Sequence, residues 1–173
     1  MKELICDVQR GRMLEFYNTL ATIKVTEEEI KNNPWNYFII WTLTHNKKIA
    51  EDNEKYQLNE EQKKIYLLYD AEIKEMEKTY LSPENKEFTP EGHKKQVQKI
   101  RDKEAYSELM KMDNDYIKWL NGSEKFKFRK INDVDIPQFS VVKNEGEKLI
   151  PDNENINKIG IIFNFLATLD LVI

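Results

Sequence analysis

The chain has 173 residues, of which 40% are hydrophobic and 34% charged, and its formal net charge is −4. This balance is typical of a folded chain with a well-solvated surface and excludes an intrinsically disordered one. At this length a single domain, residues 1–173, is the default expectation. No apolar run reaches the roughly 18 residues of a membrane-spanning helix. The N-terminus lacks the apolar core of a signal peptide.

Residues 1–33 are interpreted as an N-terminal helical lead-in. Glu3–Val8 can form either a short strand or an irregular segment before the first helix. Arg12–Ile23 has apolar residues at helical spacing, which predicts an amphipathic helix. Thr26–Glu29 is a capping box, and it predicts a short helix that ends before Pro34.

Residues 34–121 are interpreted as a long helical hairpin, whose outgoing arm begins with a clear start signal. Asn33 can cap the helix, and Pro34 suits the first helical position, where its missing N–H costs nothing. The run from Trp35 to Leu43 is apolar around most of the helix, so we expect the base of the arm to be buried on several sides.

A second start signal lies inside the outgoing arm. Asn59 and Gln62 have the spacing of a capping box, so the helix can restart there. An unbroken helix over Pro34–Tyr80 would span roughly 70 Å, whereas the returning helix covers about 45 Å. This mismatch favours a break near Leu58.

The hairpin turn is expected near Leu81–Thr89. Pro83 disfavours helix for the residue before it, and Thr89 with Pro90 provides a cap and a first helical position. The returning helix is expected to run from Pro90 to Leu120 without interruption, and Asn121-Gly122 predicts a left-handed stop.

Residues 122–173 are predicted to contain a short strand pair and a C-terminal helix. Lys125–Arg129 alternates with period two, which indicates a half-buried strand, and Ile136–Val142 can form a second extended piece. Asn144–Gly146 is expected to be a turn. Asn153 or Asn155 can cap a last helix that ends near Leu169, before an apolar tail that we expect in the core or against a partner.

These elements define the fold class as mostly α with a minor β element. The predicted order is an N-terminal helix, a long helical hairpin, a short strand pair and a C-terminal helix. We expect more than half of the residues to be helical.

Thiol chemistry is the first catalytic possibility, because the chain has one cysteine, Cys6, and two histidines, His45 and His93. A thiol enzyme needs a base beside the sulfur, and no local signature surrounds Cys6. Since a free cysteine usually packs as a small hydrophobe, a structural thiol is favoured. A lone cysteine also excludes an intrachain disulfide and is typical of a reducing compartment.

Carboxylates spaced two apart are the other possibility, since magnesium sites sometimes use them. Asp113 and Asp115 are expected on a helix, where residues two apart diverge. Asp133 and Asp135 can share a face at a strand end. Glu72–Lys74 resembles a nuclease triplet, but that triplet needs a strand and helix is expected here. We therefore expect no catalytic, metal or cofactor residues, and no enzyme.

Nucleic-acid binding is weighed separately, because two clusters of basic residues occur. In the second cluster, Phe126 and Phe128 alternate with basic residues, an arrangement that can stack on single strands. The alternative is that the phenylalanines face the core and the lysines face water. The net charge of −4 and a pI near 5.4 argue against a dedicated binder. The two clusters are Lys94, Lys95, Lys99, Arg101 and Lys103, and Lys125, Lys127, Arg129 and Lys130.

The order of elements resembles small uncharacterised helical-hairpin proteins of tailed bacteriophages and prophages. The resemblance is carried by a pattern over most of the chain rather than by a motif. In two respects the chain departs from it: the turn is longer, and Lys127 and Arg129 stand where acidic residues are expected. The segments that carry it are Tyr37–Ile49, Tyr56–Met76, Met112–Leu120, Phe126–Ile131 and Asp133–Ile136.

The resemblance implies a viral protein that is a virion component or acts in host takeover, in the bacterial host cytoplasm or in the virion. Three functions remain open: a non-enzymatic structural or adaptor protein, an inhibitor of a host or defence protein, and a single-stranded nucleic-acid-binding accessory protein. The expected partners are other proteins, either virion proteins or further copies of this chain in a homo-oligomer, and neither a membrane nor nucleic acid.

Partner contacts are expected on two surfaces, the arm and the C-terminal segment. The run Tyr66–Tyr69 points around nearly the whole helix, so at least one of its side chains should stay exposed. The alternative is that the N-terminal helix covers the arm. The candidate residues are Tyr56, Tyr66, Leu67, Tyr69 and Tyr80 on the arm, and Phe163, Phe165, Leu169 and Ile173 in the C-terminal segment.

Overall fold

The structure is a computed structural model that describes residues 3–23, 25, 33–82, 89–132, 135–136, 142–145 and 148–172. Most of these residues lie in helices, and the named strands form two two-stranded antiparallel sheets. The predicted mostly α fold with a minor β element is therefore confirmed. The chain divides into two compact units. We call Met1–Glu54 together with Trp119–Ile173 the core unit, and Lys55–Lys118 the arm unit.

The core unit begins and ends the chain. Its elements are β1 (Glu3–Gln9), α1 (Arg10–Ala21), α2 (Pro34–Asn46), α3 (Lys48–Glu54), β2 (Ser123–Arg129), β3 (Val142–Glu145), β4 (Lys148–Pro151) and α7 (Asn153–Thr168). The arm unit contains α4 (Glu60–Tyr80), α5 (Pro90–Arg101), a short 3-10 helix (Glu104–Tyr106) and most of α6 (Ser107–Asn121), whose last residues belong to the core unit.

Strands β1 and β2 form an antiparallel sheet with one buried face. Leu4 lies opposite Phe128 and Cys6 lies opposite Phe126, and both phenylalanines are buried. Ile5 lies opposite Lys127 on the other, exposed face. The predicted half-buried strand is confirmed, and its alternation follows from the period of two of a β-strand.

The outer side of β2 is covered by a side chain of α2. The Asn46 amide donates a hydrogen bond to the Lys127 carbonyl oxygen at 2.8 Å, and the Lys127 N–H donates to Asn46 Oδ1 at 2.9 Å. Asn46 is buried, so this side chain replaces a neighbouring strand for the backbone of β2. The predicted burial of the base of the arm is confirmed, because Trp35, Phe38, Ile39 and Trp41, which lie on several sides of α2, are all buried.

Helices α1 and α7 pack against each other in the core unit. The rings of Phe16 and Phe165 stack with centroids 3.9 Å apart, and Phe128 of the sheet lies 5.6 Å from Phe165. A tilted pair such as Phe128 and Phe165 adds roughly 0.5–1.5 kcal/mol to the gain from burying the area of the rings. These rings lie in the hydrophobic core, which also takes in Trp35 and Ile39 of α2.

The C-terminal end of α7 turns back into the core. Asp170 has a φ of 52°, a left-handed conformation that aspartate tolerates better than most residues. This turn buries Leu171, whose carbonyl oxygen accepts a hydrogen bond from the Ile131 N–H at 2.8 Å. Of the two fates expected for the apolar tail, the structure therefore shows burial of Leu171 in the core.

The arm unit is an antiparallel helical hairpin. Gln62 near the start of α4 contacts Met112 of α6, whereas the end of α4 lies against the start of α5. Glu77 thus lies 3.3 Å from the His93 ring, and the Tyr106 hydroxyl donates to Glu72 at 2.7 Å. Toward the other end the rings of Tyr56 and Tyr116 are 5.2 Å apart.

The predicted helix starts at Asn33, Asn59 and Thr89 are confirmed. Each side chain accepts hydrogen bonds from backbone N–H groups of the first turn, and Asn59 with Gln62 forms the full capping box. Residues 55–59 are not helical, so the break near Leu58 is also confirmed.

The returning arm differs from its prediction, because it is two helices rather than one. The interruption at Asp102–Tyr106 includes the 3-10 helix. The sequence indicates this interruption, because six residues separate the apolar Ile100 from the apolar Tyr106. That spacing would place the two side chains on different sides of a continuous helix. The left-handed stop at Gly122 is wrong as well, since Asp170 has a positive φ but Gly122 has none.

Two predictions for the C-terminal segment are also corrected. Asn144 and Glu145 lie in β3, paired with Leu149 and Lys148 of β4, rather than in a turn. The cap of α7 is Asp152, whose carboxylate accepts from the Asn155 N–H at 3.2 Å.

Some predicted features lie outside the described residues. These are the capping box at Thr26–Glu29, the centre of the hairpin turn at residues 83–88, and most of the extended piece at residues 137–141. Within the described part of the chain, the search for a helix long and apolar enough to cross a membrane finds none.

Asn46→Ala tests the side chain that covers β2. The substitution leaves the Lys127 N–H and carbonyl group without their partner, and we expect unfolding to become easier by about 1–3 kcal/mol. Chemical denaturation followed by circular dichroism measures this change. Thr44→Ala, at an exposed position of the same helix, is the control and should alter stability by less than about 0.5 kcal/mol. Equal effects of the two substitutions would contradict this role for Asn46.

Candidate protein-docking groove

A groove of about 350 Å³ runs along the arm unit between α4 and α6. Tyr66 and Tyr69 lie three positions apart on α4, so they share one face of that helix. The segment before α4 and the end of α5 complete the walls. The lining residues are Tyr56, Leu58, Tyr66, Tyr69, Arg101, Leu109, Met110, Met112, Asp113 and Tyr116.

Tyrosine rings give the groove its shape. Tyr69 lies 5.4 Å from Tyr106 with the ring planes 75° apart, and 6.4 Å from Tyr66 at 46°. Tyr56 and Tyr116 form a second pair at 5.2 Å. Tilted and edge-on contacts at these distances are the favourable arrangement for aromatic rings. Each tyrosine on the wall is thus held by another ring, while Tyr66 remains 47% exposed.

Two methionines, Met110 and Met112, complete the apolar lining. An unbranched thioether can adjust to different shapes and makes favourable contacts with aromatic rings. A surface of tyrosine and methionine can therefore accept an apolar side chain without an exact match in shape.

One ion pair lies in the wall of the groove. Arg101 Nη2 is 3.0 Å from Asp113 Oδ2, and both side chains are partly exposed. Because the two charges compensate each other, the groove has no strong net charge of its own. We expect it to select a partner by apolar contacts and not by electrostatic attraction.

A hydrogen-bond network stands behind the tyrosine wall. Glu72 accepts hydrogen bonds from the Lys103 ammonium and from the Tyr106 hydroxyl. These bonds, chiefly that of Lys103, lower the pKa of Glu72, and the bond to the carboxylate raises the pKa of Tyr106. The network fixes the ring of Tyr106, against which Tyr69 packs.

The structure brings three of the five predicted arm residues together, since Tyr56, Tyr66 and Tyr69 all line the groove. Leu67 lies outside it and is 65% exposed. Tyr80 is at the far end of α4, where its ring lies 6.2 Å from that of His93. The expectation that at least one side chain in the run Tyr66–Tyr69 stays exposed is confirmed.

The predicted C-terminal residues do not form one surface. Phe163 is exposed on α7, whereas Phe165 is buried against Phe16 and belongs to the core, which rules it out as a surface residue. Residues two apart on a helix point to different sides, which explains why the two differ. Leu169 is half-buried against the core, and Ile173 lies outside the described residues.

The second wall of the groove was missed from sequence. Leu109, Met112 and Tyr116 follow one another at steps of three and four residues, so they share a face of α6. The partner surfaces predicted from sequence did not include that face. The spacing could have identified these residues as apolar neighbours, but not as the wall of an open groove.

The residues considered for thiol and acid–base chemistry make contacts that support the fold. Burial raises the pKa of the Cys6 thiol, the opposite of what a nucleophile needs. His45 Nδ1 lies 2.8 Å from the Trp41 carbonyl oxygen in its own helix. Glu72 lies within helix α4, as expected, and Asp113 is paired with Arg101.

In the described part of the chain, no three His, Cys, Asp or Glu side chains converge as a metal site would require. Asp115 lies 3.7 Å from Lys118. Asp135 accepts a hydrogen bond from Asn132, while Asp133 is not among the described residues.

The basic strand does not present its aromatic residues to solvent. Phe126 and Phe128 are buried, so they cannot stack on nucleobases. Lys127 Nζ lies 3.1 Å from Glu3, and Lys130 Nζ lies 3.0 Å from Asp170. The guanidinium of Arg129 lies 4.8 Å from the centre of the Trp41 ring. The interpretation in which these phenylalanines face the core is confirmed.

No family of proteins, no curated protein and no solved structure matches the chain.

Glu72→Gln tests the network behind the groove. Since the folded state lowers the pKa of Glu72, its carboxylate adds stability above the ordinary value of 4.5, and this is lost as the pH falls through the lower folded value. We expect the variant to melt below the wild type at pH 7 and the two to converge in acid. Thermal unfolding from pH 7 to pH 3 measures this. Glu75→Gln, on the exposed face of α4, is the control, and a gap between wild type and Glu72→Gln that persists in acid would contradict the assignment.

Proposed function

We propose that this protein is a non-enzymatic phage structural or adaptor protein that acts through protein–protein contacts, in a virion or during its assembly. The groove of the arm unit is its docking surface. The partner is a phage virion protein or another copy of this chain, and the site of action is the bacterial host cytoplasm or the virion.

The observation that carries the proposal is an open apolar groove lined by tyrosines and methionines. Aromatic residues and methionine are enriched where proteins bind one another, and tyrosine is among the commonest residues of binding hot spots. The ring contacts and the Glu72 network hold the wall in place before any partner arrives. Such preorganisation lowers the entropic cost of binding.

The size of the groove limits what it can accept. Small-molecule sites commonly occupy about 300–1,000 Å³, so this groove lies near the lower end. Its mouth is open along the arm, and we expect it to receive about one or two large apolar side chains from a segment of the partner. The Arg101–Asp113 pair can hydrogen-bond to the backbone of that segment at the edge.

The phage context comes from the resemblance in the order of elements, and a structural role fits the division of the chain into two units. A core unit holds both ends of the chain, and the arm unit carries the groove. An inhibitor of a host or defence protein could use the same groove, so the identity of the bound partner separates the two functions.

A photo-crosslinking amino acid at position 66 tests the groove. We expect it to form one predominant adduct with a virion protein or with the chain itself in infected cells, because Tyr66 combines exposure with a place in the groove wall. In parallel, Tyr66→Ser should weaken the interaction at least about tenfold, as loss of a hot-spot tyrosine does. Mass spectrometry of the adduct and of purified particles provides the measurement.

The matched control is position 68. Leu68 is also strongly exposed on α4 but lies outside the groove. A crosslinker there should give no comparable adduct, and Leu68→Ser should leave binding unchanged. Equal adducts at both positions, or none at position 66 in folded protein, would overturn the docking role. An adduct with a host enzyme or defence protein would replace the structural function with the inhibitor function.

A further inference from the structure

Helix α7 has a second apolar face, on the side opposite its core contacts. Ile162 and Leu166 point into the core and are buried. The outward side has steps of four, three and four residues, so its members form one stripe along the helix. Two large side chains in it are exposed, Ile156 by 41% and Phe163 by 39%. The stripe consists of Ile156, Gly160, Phe163 and Ala167, and we call it the outer face of α7.

The outer face is uncharged, although 34% of the chain consists of charged residues. The exposed positions beside it are Asn157, Asn164 and Thr168. The nearest charges are Glu154 and Lys158 at the start of the helix, which pair with each other at 2.7 Å, and Arg12 of α1, whose guanidinium donates a hydrogen bond to the Thr168 hydroxyl at 3.2 Å. A neutral face can meet an identical face without repulsion between like charges, whereas a partner chosen by charge would find no complement here.

Gly160 provides space in the middle of the face. A Cβ at this position would have no heavy atom within 4 Å among the described residues. Glycine inside a helix is unfavourable, so its presence here needs a reason outside the helix itself. A gap beside an exposed phenylalanine accommodates a large side chain that approaches from another helix.

The outer face is complementary to itself. In an antiparallel pair with a two-fold axis between positions 161 and 162, Phe163 of one copy lies over Gly160 of the other. The same operation places Ile156 over Ala167. Each large side chain then meets a small one, twice, as a symmetric dimer requires. This match follows from the order large, small, large, small along the stripe.

We propose that the outer face of α7 binds a second copy of this chain, with the two α7 helices antiparallel and Phe163 of each copy seated over Gly160 of the other. This surface belongs to the core unit and does not depend on the groove of the arm unit.

The interface is small, and this sets the strength of the dimer. A helix of 16 residues is about 24 Å long. One such pair buries less than the roughly 1,200 Å² of a standard stable interface, so the association is weak and depends on concentration. We therefore expect dimers to form only at high protein concentration.

Analytical ultracentrifugation of the full chain between about 10 µM and 1 mM tests the proposal, since this range brackets a weak interface. Wild type should pass from monomer to dimer. Gly160→Phe fills the gap and Phe163→Gly removes the side chain that occupies it, so each variant alone should lose at least about tenfold in association. The two variants mixed in equal amounts should associate again, because each large side chain then faces a glycine.

The mixing experiment distinguishes loss of the Phe163–Gly160 contact from loss of folding as the reason why a variant fails to associate. Loss of folding in either variant would show in its circular dichroism and could not restore association on mixing. Leu67→Ser removes an equally apolar exposed side chain from the arm unit, outside the groove, and should leave the dimer unchanged.

Wild type that stays monomeric at 1 mM would overturn the proposal, as would a dimer that neither substitution weakens. Failure of the mixture to associate while wild type dimerises would overturn the antiparallel arrangement. The groove has its own test, crosslinking at position 66, where the expected adduct with a virion protein does not involve α7.

Discussion

The pairing of β1 with β2 is the contact on which the core unit depends, because it joins segments that are far apart in the sequence. Gln9 and Asn121, at the end of the sheet, are 112 residues apart and are linked through their side chains at 3.0 Å. Closing so long a stretch of chain costs conformational entropy, which only contacts formed together can offset. The contacts of Phe126 and Phe128 with the helices provide that gain, so the sheet and the helical core depend on each other.

Arg10 connects the start of α1 to several residues around the start of β2. Its N–H donates to the Gly122 carbonyl oxygen at 2.8 Å, and its guanidinium lies 3.1 Å from Glu124. The same guanidinium hydrogen-bonds the Trp119 carbonyl oxygen at 3.3 Å. The start of α1 is thereby tied to the junction of α6 and β2. Glu124 also pairs with Lys48 of α3. Burial, the largest single influence, raises the pKa of Glu124, but the hydrogen bonds and charges of Lys48 and Arg10 together lower it below its ordinary value.

Each unit has an apolar surface that its own described residues leave open. The arm unit has a groove whose tyrosines are held by ring contacts, and the core unit has an uncharged outer face on α7. Exposed apolar surface is unfavourable in water and commonly marks a place where another molecule binds. The two surfaces differ in form, because the groove is concave and suited to a side chain, while the face of α7 is suited to a helix.

Much of the secondary structure could be predicted from local signals. The caps at Asn33, Asn59 and Thr89 were identified because capping needs only residues within one helical turn. The alternation of β2 followed from its period. The interruption after Arg101 was missed because a single irregular step was outweighed by the regular steps around it.

What the sequence determined by itself was most of the helices and their starts, and the presence of tyrosines on more sides of α4 than one helix can cover. Only the tertiary structure decided which of those tyrosines share a groove, because that depends on the register between α4 and α6. It likewise decided that Phe165 faces the core while Phe163 does not. The periodicity of a helix shows which residues share a face, but the direction of that face is set by packing against elements distant in the sequence.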